Sequence, residues 1–127
     1  MRDLPSGHAL LALGRELLLD RMLPLLPPER ERELRLVATA MAIAEREAVA
    51  GDAPARDIAE RLAEFYGGVD AGPDDALLAR LAADLRRGAY QTCEPRARAA
   101  RAILWRLTIM KLREGNPLFL AENGFGD

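Results

Sequence analysis

Side chains that could act as nucleophiles or metal ligands are scarce in this chain of 127 residues. Ser6 is the only serine, His8 the only histidine and Cys93 the only cysteine. A Ser-His-Asp triad would have to use Ser6 and His8, which are too close together on one segment to face each other. A helical di-iron site needs two Glu-x-x-His motifs, and one histidine cannot supply both. With no phosphate-binding glycine motif either, the sequence favours a non-catalytic protein without a metal or a cofactor.

The composition indicates a helical protein and argues against two classes of partner. Half of the residues are hydrophobic, 30% are charged and 5% are aromatic, a mixture typical of amphipathic helices. The net charge of −2 disfavours nucleic acid as a partner. The longest uncharged run, Leu4 to Gly14, is too short for a membrane span. A single cysteine and the absence of a visible secretory signal predict a cytoplasmic location, with no membrane partner.

Proline and glycine positions divide the chain into five helices within one all-α domain that spans residues 1–127. The predicted helices cover residues 7–23, 28–50, 53–66, 73–87 and 93–113. Helices 1 and 2 are expected to form an antiparallel hairpin, which the long fifth helix crosses in a bundle-like arrangement. Proline disfavours helix in the residue that precedes it, so the tail, 115–127, is expected to be extended.

Helices 2 and 5 are apolar around most of their circumference. Five helices can hardly enclose two such long rods, so part of their surface is expected to contact another chain. We therefore predict a homodimer. The predicted interface residues are apolar positions outside the main stripes of these two helices, together with the tail: Leu36, Ile43, Trp105, Ile109, Leu112, Leu118 and Phe119.

Glu45 is a candidate binding residue because it interrupts the main apolar stripe of helix 2. A carboxylate at such a position is costly unless it is paired. In the predicted hairpin, Glu45 lies near the start of helix 1, so its partner is His8 or an arginine. The alternative is a structural role, in which Glu45 reaches solvent or forms an ordinary ion pair.

A second candidate site is the cluster of Arg98 and Arg101 beside Trp105 on helix 5. In one interpretation these arginines edge an apolar groove and bind the anionic head of a small amphipathic ligand such as an acyl-CoA. In the other they form the rim of a protein interface, where tryptophan and arginine are common.

Several short runs point to a known family: Leu4-Pro5, RLVA at 35–38, AIAERE at 42–47, KLR at 111–113 and NPLFL at 116–120. They resemble a small bacterial all-helical domain family of unknown function. The resemblance implies genes often found beside those for acyl-CoA dehydrogenases and aminoglycoside-phosphotransferase-like kinases. It carries no established activity, so it assigns no catalytic residue.

Two functions are therefore expected from the sequence. The first is an interaction or accessory protein, a homodimer that serves an enzyme encoded nearby. The alternative is a binder of a small amphipathic anion such as an acyl-CoA.

Overall fold

The computed structural model describes residues 4–68 and 75–125, and within these ranges the chain is helical and has no β-strand. The all-α prediction is confirmed. Six α-helices are formed in the described ranges, and we number them in chain order. They are α1 (Gly7–Leu17), α2 (Pro28–Ala50), α3 (Ala53–Phe65), α4 (Ala76–Arg86), α5 (Glu94–Gly115) and α6 (Pro117–Glu122).

The first predicted helix does not stay α-helical as far as residue 23. A π-helical turn, Leu18–Met22, follows α1, and a 3₁₀ turn, Leu23–Leu25, follows that. Pro24 explains the change, because its ring would meet the carbonyl of Asp20 in a regular α-helix and it has no N–H to donate. The chain therefore widens and then tightens its turns before α2 begins.

The other predicted boundaries are close to those of the structure. α2 covers the predicted residues 28–50, and Gly51 ends it with a φ of 64°, in the left-handed region that favours glycine. α3 and α5 end within two residues of their predicted limits. The predicted start of helix 4 at residues 73 and 74 lies outside the described residues, and α4 itself begins at Ala76.

The prediction of an extended tail is wrong, because Pro117–Glu122 forms α6. The residue before the proline, Asn116, is indeed non-helical, with a φ of −153° and a ψ of 68°. Its side chain, however, accepts a hydrogen bond from the backbone N–H of Phe119. Asn116 is thus the N-cap of a new helix, and Pro117 occupies the first helical position, which suits proline.

The main hydrophobic core lies between α3, α4 and α5. These helices meet along their apolar stripes, and Leu81 at the centre is completely buried. The core residues are Ile58, Leu62, Phe65, Leu77, Leu81, Ala100 and Ile103. This cluster contains no residue of α1 or α2.

α1 and α2 form the expected hairpin beside this core. Only Leu34 and Ala38 of α2 are buried, and α1 has no buried residue. Met41 of α2 packs against Gly14 of α1, where its Cε methyl lies 2.9 Å from the position that a Cβ atom would occupy. α5 links the hairpin to the core, since it packs against both α2 and α3.

Candidate functional site

A row of leucines on α1 is exposed although the helix packs against α2. Leu10, Leu13 and Leu17 are 53%, 52% and 46% exposed. With 3.6 residues per turn, these three side chains lie within about 60° of one another around the helix axis. Val37 of α2 is also half exposed. We call these four residues the hairpin face.

The hairpin face points away from α5. Arg46 marks the α5 side of α2, because its Nε donates a hydrogen bond to the backbone oxygen of Glu114 at 2.6 Å. Val37 lies about 180° from Arg46 around α2. On α1, Arg15 lines a shallow depression together with Arg46, and the three leucines lie about 140–160° from Arg15. The core therefore cannot cover the hairpin face.

A neutral ion pair lies at the α2 edge of the hairpin face. A shallow groove beside Val37 is lined by Leu18, Arg30 and Glu33. Arg30 and Glu33 form an ion pair at 3.0 Å. The hairpin face therefore presents apolar side chains beside a neutral polar pair, a combination that marks contact surfaces.

A cleft of about 600 Å³ lies between α3 and α5, at the end of α2. Most of its lining is apolar and comes from all three helices. The apolar lining residues are Ala50, Pro54, Ile58, Trp105, Ile109 and Met110. Trp105 is 54% exposed, and the ring of Phe125 packs edge-on against it.

Four charged residues, Asp57, Arg106, Arg113 and Glu114, complete the cleft. Asp57 accepts hydrogen bonds from Arg61 Nε at 3.1 and 3.2 Å and from Arg106 Nη1 at 3.1 Å. The hydrogen bond from Arg61, with the charges of Arg61 and Arg106, lowers the pKa of Asp57. One carboxylate is thus shared by two guanidinium groups.

The structure decides between the two expected partners of Glu45. Its Oε2 lies 3.5 Å from Arg15 Nη2, and both side chains are partly buried between α1 and α2. His8 is exposed, and its ring contacts the hydroxyl of Ser6 at 3.3 Å, so the expectation that these two side chains cannot face each other is wrong. Glu45 therefore pairs with an arginine of the hairpin. A ligand-binding role for Glu45 or His8 stays a prediction.

Arg98 and Arg101 do not edge the cleft. Both contact Oε1 of Glu94 in the first turn of α5, at 3.8 and 3.0 Å. Trp105 is the member of the predicted cluster that lines a cleft, and the arginines at that cleft are Arg106 and Arg113. Binding of an acyl-CoA by Arg98 and Arg101 stays a prediction.

The predicted dimer residues divide into two groups in the structure. Leu36, Trp105, Leu118 and Phe119 are exposed, whereas the others are partly covered within the chain. The partly covered ones are Ile43, Ile109 and Leu112. A role in an interface stays a prediction for all seven, and the exposed leucines of α1 were absent from that prediction.

Sequence reasoning also missed a buried carboxylate, Asp84. It accepts hydrogen bonds from Tyr66 Oη at 2.7 Å, Tyr90 Oη at 2.9 Å and Arg87 Nη2 at 2.6 Å. These hydrogen bonds lower the pKa of Asp84 to about 2, and those from the two tyrosines have the largest effect. Burial, with the hydrogen bonds to Tyr90 and Asp84, raises the pKa of Tyr66. The position of Asp84 on the apolar stripe of helix 4, seven residues after Leu77, was the available signal.

The Asp84 cluster joins α3, α4 and the segment that leads into α5. Arg96 adds to it from α5, because its Nη1 donates to the backbone oxygen of Phe65 and its guanidinium lies 3.6 Å from the Phe65 ring centre. Every oxygen of Asp84 already has a donor. The cluster therefore stabilises the core, and the hairpin face and the cleft are the candidate sites for function.

Comparison with known proteins places the chain in a family. Residues 24–119 match the family described as "Domain of unknown function (DUF6285)". The chain belongs to this family. No curated protein and no solved structure matched the chain. The resemblance to a family of unknown function is thus confirmed, while the gene neighbourhood that it implies stays a prediction.

Two further findings concern the described part of this DUF6285 chain. None of its helices combines the length and the apolar character needed to cross a bilayer. Within the same residues, no group of three or more His, Cys, Asp or Glu side chains could hold a metal ion.

Proposed function

We propose that this protein is a cytoplasmic, non-catalytic interaction protein that forms a homodimer through its hairpin face and serves an enzyme encoded nearby. The observation that carries the dimer is the exposure of Leu10, Leu13 and Leu17 on a helix with no buried residue. Leucine side chains stabilise a fold only when they leave water, at about 25 cal/mol for each Å² of apolar surface. In a single copy of the chain, the hairpin leaves these leucine side chains exposed to water.

The total surface of the chain supports a large interface. The protein exposes 9464 Å², whereas a compact monomer of its mass exposes about 6,700 Å². The excess of about 2,800 Å² per chain is more than three times the area that each partner buries in a standard interface, about 800 Å². An obligate homodimer interface buries about 1,000–2,500 Å² of each chain and would remove much of this excess.

A second copy fits the hairpin face because the leucine row is nearly symmetric about Leu13. In a twofold dimer the same surface of each copy meets its equivalent. If the twofold axis passes near Leu13, Leu10 of one copy packs against Leu17 of the other. The two hairpins then form a four-helix bundle, in which α1 and α2 of each copy contribute to a shared core.

Mass measurement by light scattering tests this proposal. We expect twice the chain mass of 13.9 kDa at micromolar concentration. Leu13→Lys should return the monomer mass, because it places a charge at the proposed axis. Leu36→Lys is the matched control, since Leu36 is similarly exposed but lies about 100° from Val37 around α2. The exposed Cys93 requires a reducing agent, so that a disulfide does not imitate the dimer.

A monomer mass for the unchanged protein contradicts the dimer. Dissociation by Leu36→Lys but not by Leu13→Lys contradicts the hairpin face and supports the interface predicted from the sequence. Circular dichroism of both variants shows whether the helices have survived the substitution.

The second part of the proposal concerns the enzyme that the dimer serves. Its support is the family resemblance and the implied neighbourhood of acyl-CoA dehydrogenase genes. Co-purification from the native host tests it, with the neighbouring dehydrogenase as the named partner. Repeated recovery of the chain without that enzyme contradicts the accessory role and leaves the dimer intact.

A further inference from the structure

We propose that the cleft between α3 and α5 binds a singly charged amphipathic anion, an aliphatic carboxylate whose tail enters the cleft. The cleft is distinct from the hairpin face, and its volume of about 600 Å³ lies in the range of small-molecule sites, roughly 300–1,000 Å³. The proposal does not depend on the dimer.

The inner wall of the cleft suits an aliphatic tail. Ile58 is buried at its base, and Ile109 and Met110 are partly buried beside it. Trp105 forms the exposed part of the wall. These side chains offer no hydrogen bond to a ligand, apart from the indole N–H of Trp105. A flexible methylene chain fits this lining better than a polar ligand does.

Arg106 at the mouth of the cleft has N–H donors that its carboxylate partner does not use. The four charged residues that line the cleft, Asp57, Arg106, Arg113 and Glu114, sum to zero in formal charge. Asp57 already accepts hydrogen bonds from two guanidinium groups, those of Arg61 and Arg106. Asp57 therefore keeps Arg61 as a partner when Arg106 binds a ligand, and the unused donors of Arg106 favour an anion over a cation.

Arg106 is the residue best placed to bind the head group. Its side chain is 51% exposed at the cleft, and one of its five N–H donors is used by Asp57. A carboxylate that contacts Arg106 would leave Asp57 bound to Arg61. One exposed guanidinium matches the single charge of a simple carboxylate, whereas a coenzyme A ester carries several negative charges.

Fluorescence of Trp105, the only tryptophan, reports directly on the cleft. Octanoate, decanoate and dodecanoate are titrated below their micelle concentrations. We expect saturable changes and an affinity that rises up to about fourfold for each methylene that becomes buried. Decyltrimethylammonium, with a comparable tail and the opposite charge, should bind at least ten times more weakly than decanoate.

Arg106→Gln tests the head-group contact. It should weaken the binding of decanoate about fivefold or more and leave the affinity for decanol, the uncharged analogue, unchanged. Arg101→Gln is the matched control, because Arg101 lies on the same helix and pairs with Glu94 away from the cleft. Should Arg106→Gln lose its helical circular dichroism, the comparison of head groups on the unchanged protein decides the question alone.

Four results overturn the proposal. The first is equal affinity for the carboxylate and the ammonium, and the second is tighter binding of decanoyl-CoA than of decanoate. The third is decanoate binding that survives Ile109→Arg, which fills the cleft. The Leu13→Lys variant separates the two proposals, since it should bind decanoate normally even as a monomer. Loss of binding in that variant alone would place the ligand at the hairpin face and also overturn the cleft.

Discussion

Removal of the hydroxyl groups of Tyr66 and Tyr90 tests how the core is stabilised. Both hydroxyls donate to the same oxygen of Asp84, at 2.7 and 2.9 Å. Hydrogen bonds to a charged group stabilise proteins by about 1.5–3 kcal/mol. Because both tyrosines are only partly buried, we expect Tyr66→Phe to cost about 1.5 kcal/mol and Tyr90→Phe about 1 kcal/mol.

The double variant should cost more than the sum of the two single variants. When one hydroxyl is lost, the other can move closer to the shared oxygen and strengthen its bond, so each single loss is partly compensated. We expect this coupling to be about 0.5–1 kcal/mol, typical of residues in one hydrogen-bond network. The rings remain in every variant, so the edge-on contacts of both tyrosines with Phe65 are preserved.

Urea unfolding followed by circular dichroism measures these free energies. All variants are compared at one protein concentration, because the stability of a dimer depends on concentration. Two results would refute the reasoning. One is a Tyr66→Phe variant within about 0.3 kcal/mol of the parent, far below the usual value for such a bond. The other is strict additivity in the double variant, which contradicts a shared acceptor.

Three further predictions follow from single interactions. The pKa of Asp84 is lowered to about 2, so its contribution to stability is present above about pH 4 and should be lost as the pH falls towards 2. In an acid titration, the stability of Asp84→Asn should fall less steeply over this range than that of the unchanged protein. Glu45→Ala leaves Arg15 without its partner between α1 and α2 and should destabilise the hairpin by about 1–2 kcal/mol. Replacing both residues by leucine should be neutral or stabilising, as measured by thermal unfolding. Asn116→Ala removes the N-cap of α6 and should lower the free energy of unfolding by about 1 kcal/mol. It should also weaken the contact of Phe125 with Trp105, which changes the fluorescence of Trp105. An unchanged spectrum together with an unchanged stability would contradict the cap.

Local rules predicted most of the helical framework from the sequence. The start of α2 at Pro28 and its end before Gly51 depend on backbone chemistry that a few residues determine. At the tail, the same chemistry allows a helix as well as an extended chain. The restriction on Asn116 was correct, but that residue is also a good N-cap, and Pro117 is a good first residue of a helix.

The candidate sites depend on packing between distant segments, which local rules do not describe. α1 is rich in leucine, so its sequence alone does not show which side stays exposed. That side depends on where α5 packs against α2, as in the hydrogen bond from Arg46 to the backbone of Glu114. Asp84 is satisfied by Tyr66, which lies eighteen positions earlier. The pairing of Glu45 with an arginine was among the expected alternatives, because the hairpin itself was predictable.

The central claim is that the hairpin face of one copy is covered by the same face of another. Oxidative cross-linking tests it most directly, with Leu13→Cys introduced into a Cys93→Ser chain. A residue near a twofold axis meets its own equivalent, so we expect a rapid intermolecular disulfide for Leu13→Cys and little for the matched control Leu36→Cys. Equal cross-linking of the two variants, or none for Leu13→Cys, would contradict the account.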